Sequence, residues 1–188
     1  MNGNQTAEET RKKAIRLFFA IWPDKETRMR LGRLAGRLAS ACEGRKIKTE
    51  NIHLTLVFVG EVNTSQMTAL YKTVDEIKDS GLRAFDLPIE RICIWKRKNI
   101  VYAEISAIPQ SLIDLVEALQ SRLSSAGFSL EQRPYKPHIT LMRNASCKTL
   151  PELAEPMVWR AREWVLVKSD RTSDGSVYTQ IGRWSLEG

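Results

Sequence analysis

Both histidines of this chain begin the same four-residue word: His53-Leu54-Thr55-Leu56 and His138-Ile139-Thr140-Leu141. Each word alternates polar and apolar, the two-residue period of a half-buried strand. Residues two apart on a strand share a face. His53 and Thr55 therefore point one way while Leu54 and Leu56 point into a core, and His138 and Thr140 repeat the arrangement. A chain that presents the same imidazole–hydroxyl pair from two strands, half a chain apart, is built as two lobes. Two imidazoles facing each other make an acid/base pair.

The surrounding sequence fits an α+β domain. Ile15 to Ile21 reads as a strand, with Pro23 and Asp24 ending it and starting a helix through Thr27 to Cys42, for which Gly44 is a candidate C-cap. Ile52 to Gly60 is the first motif strand. Thr64 or Ser65 caps a helix through Leu70, Val74 and Ile77 that stops at Ser80-Gly81. Phe85 to Trp95, broken near Pro88, and Ile100 to Ile105 form a hairpin with the basic tip Lys96-Arg97-Lys98-Asn99. Leu112, Leu115, Val116, Leu119 and Leu123 have helical spacing and run to Gly127. Residues Arg133 to Pro137 form an extended approach to the second motif strand, because residues before proline avoid helix. Glu152 to Met157 reads as loop. Val158 to Val167 and Val177 to Trp184 read as the last two strands, joined by Ser173-Asp174-Gly175. The expected architecture is bilobal: two antiparallel-rich sheets facing a central groove, helices outside, related by a pseudo-twofold repeat. Residues 14–188 form one two-lobed domain, and residues 1–13 are expected to be a disordered tail.

Composition narrows the function classes. No apolar run is long enough to cross a bilayer, and the polar N-terminus lacks the apolar core of a secretory signal. The expected location is cytoplasmic. The three cysteines, Cys42, Cys93 and Cys147, are far apart and outside any CxxC pattern, so they are read as reduced thiols. A net charge of +7 is a modest pointer to a polyanionic partner.

Two histidines without neighbouring cysteine or carboxylate make a poor zinc site, which needs three or four ligands. No Gly-x-Ser-x-Gly nucleophile elbow or Gly-rich phosphate loop is present. In-line displacement at phosphorus suits the motifs better. One histidine takes a proton from the entering oxygen and the other gives one to the leaving oxygen. Thr55 and Thr140 are placed to donate hydrogen bonds to an oxyanion between the lobes. An activated leaving group, such as a strained cyclic phosphodiester, needs no metal.

These residues resemble the two-histidine (2H) phosphoesterases, and within them the RNA 2′,3′-cyclic phosphodiesterases, historically called 2′-5′ RNA ligases. The resemblance spans Arg16 to about Leu186. It rests on Arg16-Leu17-Phe18-Phe19-Ala20, on Asn51 to Gly60 around the first motif, on Arg133 to Arg143 around the second, and on Tyr178 and the Trp184-Ser185-Leu186 ending. It implies hydrolysis of a terminal RNA 2′,3′-cyclic phosphate to a 2′-phosphate without metal or other cofactor, with His53 as proton donor and His138 as proton acceptor. It also implies a reversible 2′-5′ RNA ligase activity at the same site. It also makes Arg143 a candidate phosphate ligand. Strict alternation would put Arg143 on the face opposite His138, so it reaches the site only through a bulge or strand end. Tyr135 and Phe18 are candidate base-stacking residues, and Lys96-Arg97-Lys98 a candidate phosphate contact. The expected partner is an RNA with a cyclic phosphate end, with no membrane, no obligate protein partner and a monomeric state. The alternatives left open are an RNA- or nucleotide-binding module without turnover, and a phosphodiesterase for another cyclic phosphate such as ADP-ribose 1″,2″-cyclic phosphate.

Overall fold

The structure, a computed structural model, describes residues 14–78, 81–131, 133–153, 155–173 and 175–187. The expected N-terminal tail, Ser80 and Asp174 lie outside them. The strands in chain order are β1 (Ile15–Ile21), β2 (Cys42–Lys46), β3 (Leu54–Val62), β4 (Phe85–Trp95), β5 (Ile100–Ile105), β6 (His138–Cys147), β7 (Met157–Ala161), β8 (Glu163–Thr172) and β9 (Gly175–Ser185). The helices are α1 (Lys25–Ala41), α2 (Thr64–Lys78) and α3 (Gln110–Ser125).

The strand order is β7-β4-β5-β6-β3-β1-β8-β9, with β2 on the other side of β6, and all paired strands in the ladders are antiparallel. The expected two halves are the two ends of this order. Between them β3 and β6 share a single residue pair, Leu54 with Ile139. One backbone pair cannot hold two lobes together, and the helices complete the job. Helix α1 leaves β1 in one half and packs on β2 and β6 in the other; α3 leaves β5 and packs back on β3. Their apolar stripes, Leu31, Leu34 and Leu38 on α1 and Leu112, Leu115, Leu119 and Leu123 on α3, join one continuous core.

Strand β1 is buried on both faces. Leu17, Phe19 and Ile21 enter the large core under the helices, whereas Phe18 and Ala20 join Val165 and Val167 in a small second core on the groove side. Burial on both faces explains the uninterrupted apolar run Leu17 to Ile21.

Helix ends follow local chemistry. Asp24 accepts the Thr27 N–H at 2.9 Å and caps α1. Helix α2 is capped one residue earlier than expected: Asn63 accepts the Gln66 N–H, and the Gln66 side chain accepts the Asn63 N–H, both at 3.0 Å. This reciprocal box satisfies two orphan donors, which Thr64 or Ser65 alone would not. Gly127, at φ 88°, ends α3, with Phe128 N–H returning to the Leu123 carbonyl.

Four local expectations are corrected. Gly44 does not cap α1, because the chain turns directly into β2, an edge strand on β6. Strand β4 runs unbroken through Pro88, whose carbonyl accepts the Ser106 N–H just past the end of β5, where a missing donor is tolerated. Met157 begins a strand rather than ending a loop. Val158 to Val167 is two strands parted at Arg162: β7 pairs with β4 in one half, and β8 pairs with β1 and β9 in the other.

The thiols are also corrected. Cys42 and Cys147 face each other across the β2–β6 ladder, their Cα atoms 4.5 Å apart, and form a disulfide; Cys93 is free. The bond joins residues 105 positions apart, so it removes much of the unfolded chain's freedom, a contribution of about 2–4 kcal/mol. Oxidised Cys42→Ser should lose that amount against oxidised wild type in urea unfolding, and the two should converge in reductant. Equal stability in both conditions would show that the bond contributes nothing.

Candidate active site

The Leu54–Ile139 pair builds the site. Both residues are fully buried, so their neighbours in sequence point to the opposite face, into the groove. The pairing is antiparallel, which sets His53 across from Thr140 and Thr55 across from His138. Two copies of one local word, joined through Leu54 and Ile139, thus bring two imidazoles and two hydroxyls to one groove.

Each imidazole is oriented the same way. His53 Nδ1 lies 2.7 Å from the Asn51 carbonyl, and His138 Nδ1 lies 2.8 Å from the Lys136 carbonyl. A carbonyl only accepts, so Nδ1 carries the proton and Nε2 is the working nitrogen in both. His53 Nε2 accepts the Thr55 hydroxyl at 3.1 Å. In the free protein both rings are held below the ordinary imidazole value. Burial pushes His53 down to about 4, with Arg143 and His138 adding repulsion against a partial upward pull from the Asn51 carbonyl. Burial also lowers His138, offset in part by the Lys136 carbonyl and reinforced by Arg143, Arg133 and Lys98.

Arg143 reaches the groove because β6 bulges. On β5, Val101 pairs with Met142 and the adjacent Tyr102 pairs with Thr140, so Leu141 is the extra residue. Leu141 and Met142 are both buried and the alternation is reset, which returns Arg143 to the face of His138 and Thr140. Its charge bears on both imidazoles. Strand β3 has the same irregularity at Leu56-Val57, which turns Phe58 outward with 42% exposure.

Phe18 and Tyr135 both lie at the site. Phe18 is 3% exposed, and its ring, 5.0 Å from that of His53, supports the imidazole from beneath and leaves no open face for a base. The Tyr135 hydroxyl donates to the Thr55 carbonyl at 3.1 Å, and burial pushes its phenol up, so it stays a donor that braces one half against the other. The basic tip is a short turn ending at Asn99, with Lys98 5.4 Å from the Trp95 ring.

Four further aromatic residues flank the two histidines, and of these only Tyr178 figured in the sequence resemblance. Trp22 stacks on His53, centroids 5.0 Å apart and planes within 7°, and Tyr178 meets the same ring edge-on at 5.3 Å. Trp95 lies 4.5 Å from the His138 ring, with Tyr102 at 5.9 Å. An indole face against an imidazole holds it in place and favours its protonated form. Trp95 ends β4 and Trp22 directly follows β1, where the sequence offered only stop signals; the partner rings come from elsewhere in the fold.

Among the described residues, no group of three His, Cys, Asp or Glu side chains converges as a metal ion would require. What the site offers is two imidazoles on opposite strands, two hydroxyls between them and a guanidinium at the edge. That set suits proton transfer on both sides of an anionic centre.

Comparison with known proteins agrees with this geometry. The chain is 32% identical over 172 residues to the RNA 2′,3′-cyclic phosphodiesterase of Escherichia coli K12, covering 91% of this chain and 96% of that one. It is 26% identical to the protein of the same description from Methanothermobacter thermautotrophicus, covering 89% and 96%. The crystal structure of E. coli LigT complexed with 3′-AMP superposes with a TM-score of 0.84 at 31% identity, covering 94% of this chain and all of that one. TT0787 of Thermus thermophilus shares the fold at a TM-score of 0.80 and 22% identity over 93% of this chain and 99% of that one. The sequence profile described as LigT like Phosphoesterase matches residues 21–102 and 105–178. The two histidine words, their shared groove and this match together place the chain in the LigT-like phosphoesterase family.

Proposed function

We propose that this enzyme hydrolyses RNA 2′,3′-cyclic phosphate termini to 2′-phosphomonoesters by metal-independent acid/base catalysis. The observation that carries the reading is the Leu54–Ile139 pairing, which brings both histidine words to one groove. The activity named for the E. coli relative supports the substrate class.

His138 Nε2 takes a proton from water as the water oxygen bonds to phosphorus. The bond from phosphorus to O3′ breaks, and His53 Nε2–H gives O3′ its proton. Thr55, Thr140 and Arg143 hold the nonbridging oxygens, whose charge grows in the transition state. Solvent then returns the proton from His138 to His53. In the empty groove both rings are neutral at pH 7; the substrate's negative charge raises the affinity of a ring for its proton. Each ring has an indole beside it, Trp22 for His53 and Trp95 for His138, and burial and Arg143 lower both. The assignment of His53 as donor and His138 as acceptor rests on the family resemblance. Ligation is the same path with an RNA 5′-hydroxyl in place of water: its proton passes to His138 as its oxygen bonds to phosphorus, the bond to O3′ breaks, and O3′ takes the proton of His53.

The test is a short RNA ending in a 2′,3′-cyclic phosphate, incubated with enzyme in EDTA, with the product phosphate mapped by mass and phosphatase sensitivity. The expected product is a 2′-phosphate at a rate unchanged by EDTA. Activity that needs added zinc would overturn the metal-free mechanism. No turnover of RNA alongside turnover of ADP-ribose 1″,2″-cyclic phosphate would overturn the substrate class, and salt-sensitive RNA binding with no turnover of either would mark a binding module.

A further inference from the structure

We propose that Arg45 binds the phosphodiester one step upstream of the reacting cyclic phosphate, so that the preferred substrate is an RNA chain of at least two nucleotides rather than a cyclic mononucleotide. The proposal rests on the phosphodiesterase reading above and extends it along the strand.

Arg45 lies on edge strand β2, directly across the ladder from Arg143 on β6. Residues paired in this way send their side chains to the same face. Arg45 therefore shares the groove face with Arg143, Thr140 and His138. Like charges directly opposite are destabilising in a sheet, and both arginines are exposed. Among the described residues neither has an acidic side chain at ion-pair distance.

The backbone is bent to make this pair. The β2–β6 register shifts between Glu43 and Arg45. Gly44 stands there at φ 123°, opposite Asn144 at φ 52°. A Cβ at Gly44 would lie 2.6 Å from the Asn144 carbonyl oxygen, so only glycine fits. Plain edge pairing needs no left-handed residue on either strand. The Cys42–Cys147 bond closes the same ladder just beyond.

The guanidinium also reaches the other half of the molecule. A Cβ built at Gly175, on the β8–β9 hairpin, would be 3.5 Å from Arg45 Nη1. The next residue, Ser176, accepts the Asn51 side-chain N–H at 3.0 Å, and the Asn51 carbonyl is the one that orients His53. Arg45 thus ends at the β8–β9 hairpin, next to the Ser176 that holds the Asn51 side chain.

Charge decides what this second cation is for. A cyclic mononucleotide phosphate carries one negative charge, and Arg143 answers it. An RNA chain brings the next phosphodiester one nucleotide away, and a second guanidinium beside the first matches it by a charge-assisted hydrogen bond.

The experiment compares adenosine 2′,3′-cyclic phosphate with an adenosine dinucleotide ending in a 2′,3′-cyclic phosphate, using wild type, Arg45→Gln and Arg45→Lys. Wild type should show the lower KM on the dinucleotide. Arg45→Gln should raise that KM about 10- to 100-fold, leave kcat unchanged, and leave mononucleotide kinetics unchanged. Arg45→Lys, which keeps the charge, should fall between. The slope of log KM against log salt for the dinucleotide should drop by about 0.7 in Arg45→Gln. Equal losses on both substrates, or no change on either, would overturn the assignment, and a thermal melt shows whether an equal loss is structural. If wild type turns over neither substrate, the phosphodiesterase reading itself fails, and the proposal with it.

Discussion

Replacing either histidine by alanine should lower turnover of an RNA 2′,3′-cyclic phosphate by about 10²–10⁴-fold, the usual value of one positioned proton-transfer group. The double variant should be little worse than the poorer single one, because donor and acceptor act in one transition state and their losses do not add. The losses should fall on kcat. Each ring sits in a frame that survives its removal: Leu54 and Ile139 stay paired beneath, and Trp22 and Trp95 keep their strands. Circular dichroism and unfolding midpoints near wild type would confirm an intact scaffold. Retention of wild-type turnover by the double variant would exclude two-histidine catalysis outright.

Arg143→Met should lower kcat/KM by about 10²–10³-fold, the typical cost of one transition-state donor, and should also move the pH profile. The direction follows from the free protein. Both imidazoles titrate below their usual value, His53 at about 4. Catalysis needs one ring protonated and one neutral, so the kcat/KM bell of wild type lies on the acid side of 6.5 and falls as pH rises toward 8. The two limbs belong to the coupled pair rather than to either ring. Arg143 disfavours imidazolium at both positions. Removing its charge raises both values, and the bell moves toward alkaline pH while its height drops. The kcat profile, which reports the complex, should lie at higher pH than that of kcat/KM, because the bound anion favours both protonated rings. Measuring both parameters from pH 4 to 9 tests this. A loss of height with no displacement would mean that Arg143 binds phosphate without governing the imidazoles.

Much of the site is legible in the chain because its information is local. Alternation in His-x-Thr-x is a property of four consecutive residues, and strand geometry alone puts imidazole and hydroxyl on one face. Repetition of the word announced two lobes, and the motif flanks announced the family. The helices were readable for the same reason: Leu112 to Leu123 carry their period within one turn of each other, and Asp24 caps α1 through a bond three residues long.

What escaped the sequence depends on partners remote in the chain. Strand β2, Cys42-Glu43-Gly44-Arg45-Lys46, has no apolar alternation, since an edge strand buries almost nothing; it exists because β6 offers it a ladder. The disulfide follows from that ladder, which brings two cysteines 105 positions apart into register. Alternation kept Arg143 out of the groove until the bulge opposite β5 reset its parity, and a bulge is a mismatch between two strands, visible in neither alone. Phe18 could be read as a core or a base-stacking residue until the second small core claimed it, and Trp22 and Trp95 looked like strand ends until each met an imidazole. The four motif side chains were determined by their own neighbours; how the two words meet, which charges flank them and how far burial lowers their affinity for protons were decided by the tertiary pairing of Leu54 with Ile139.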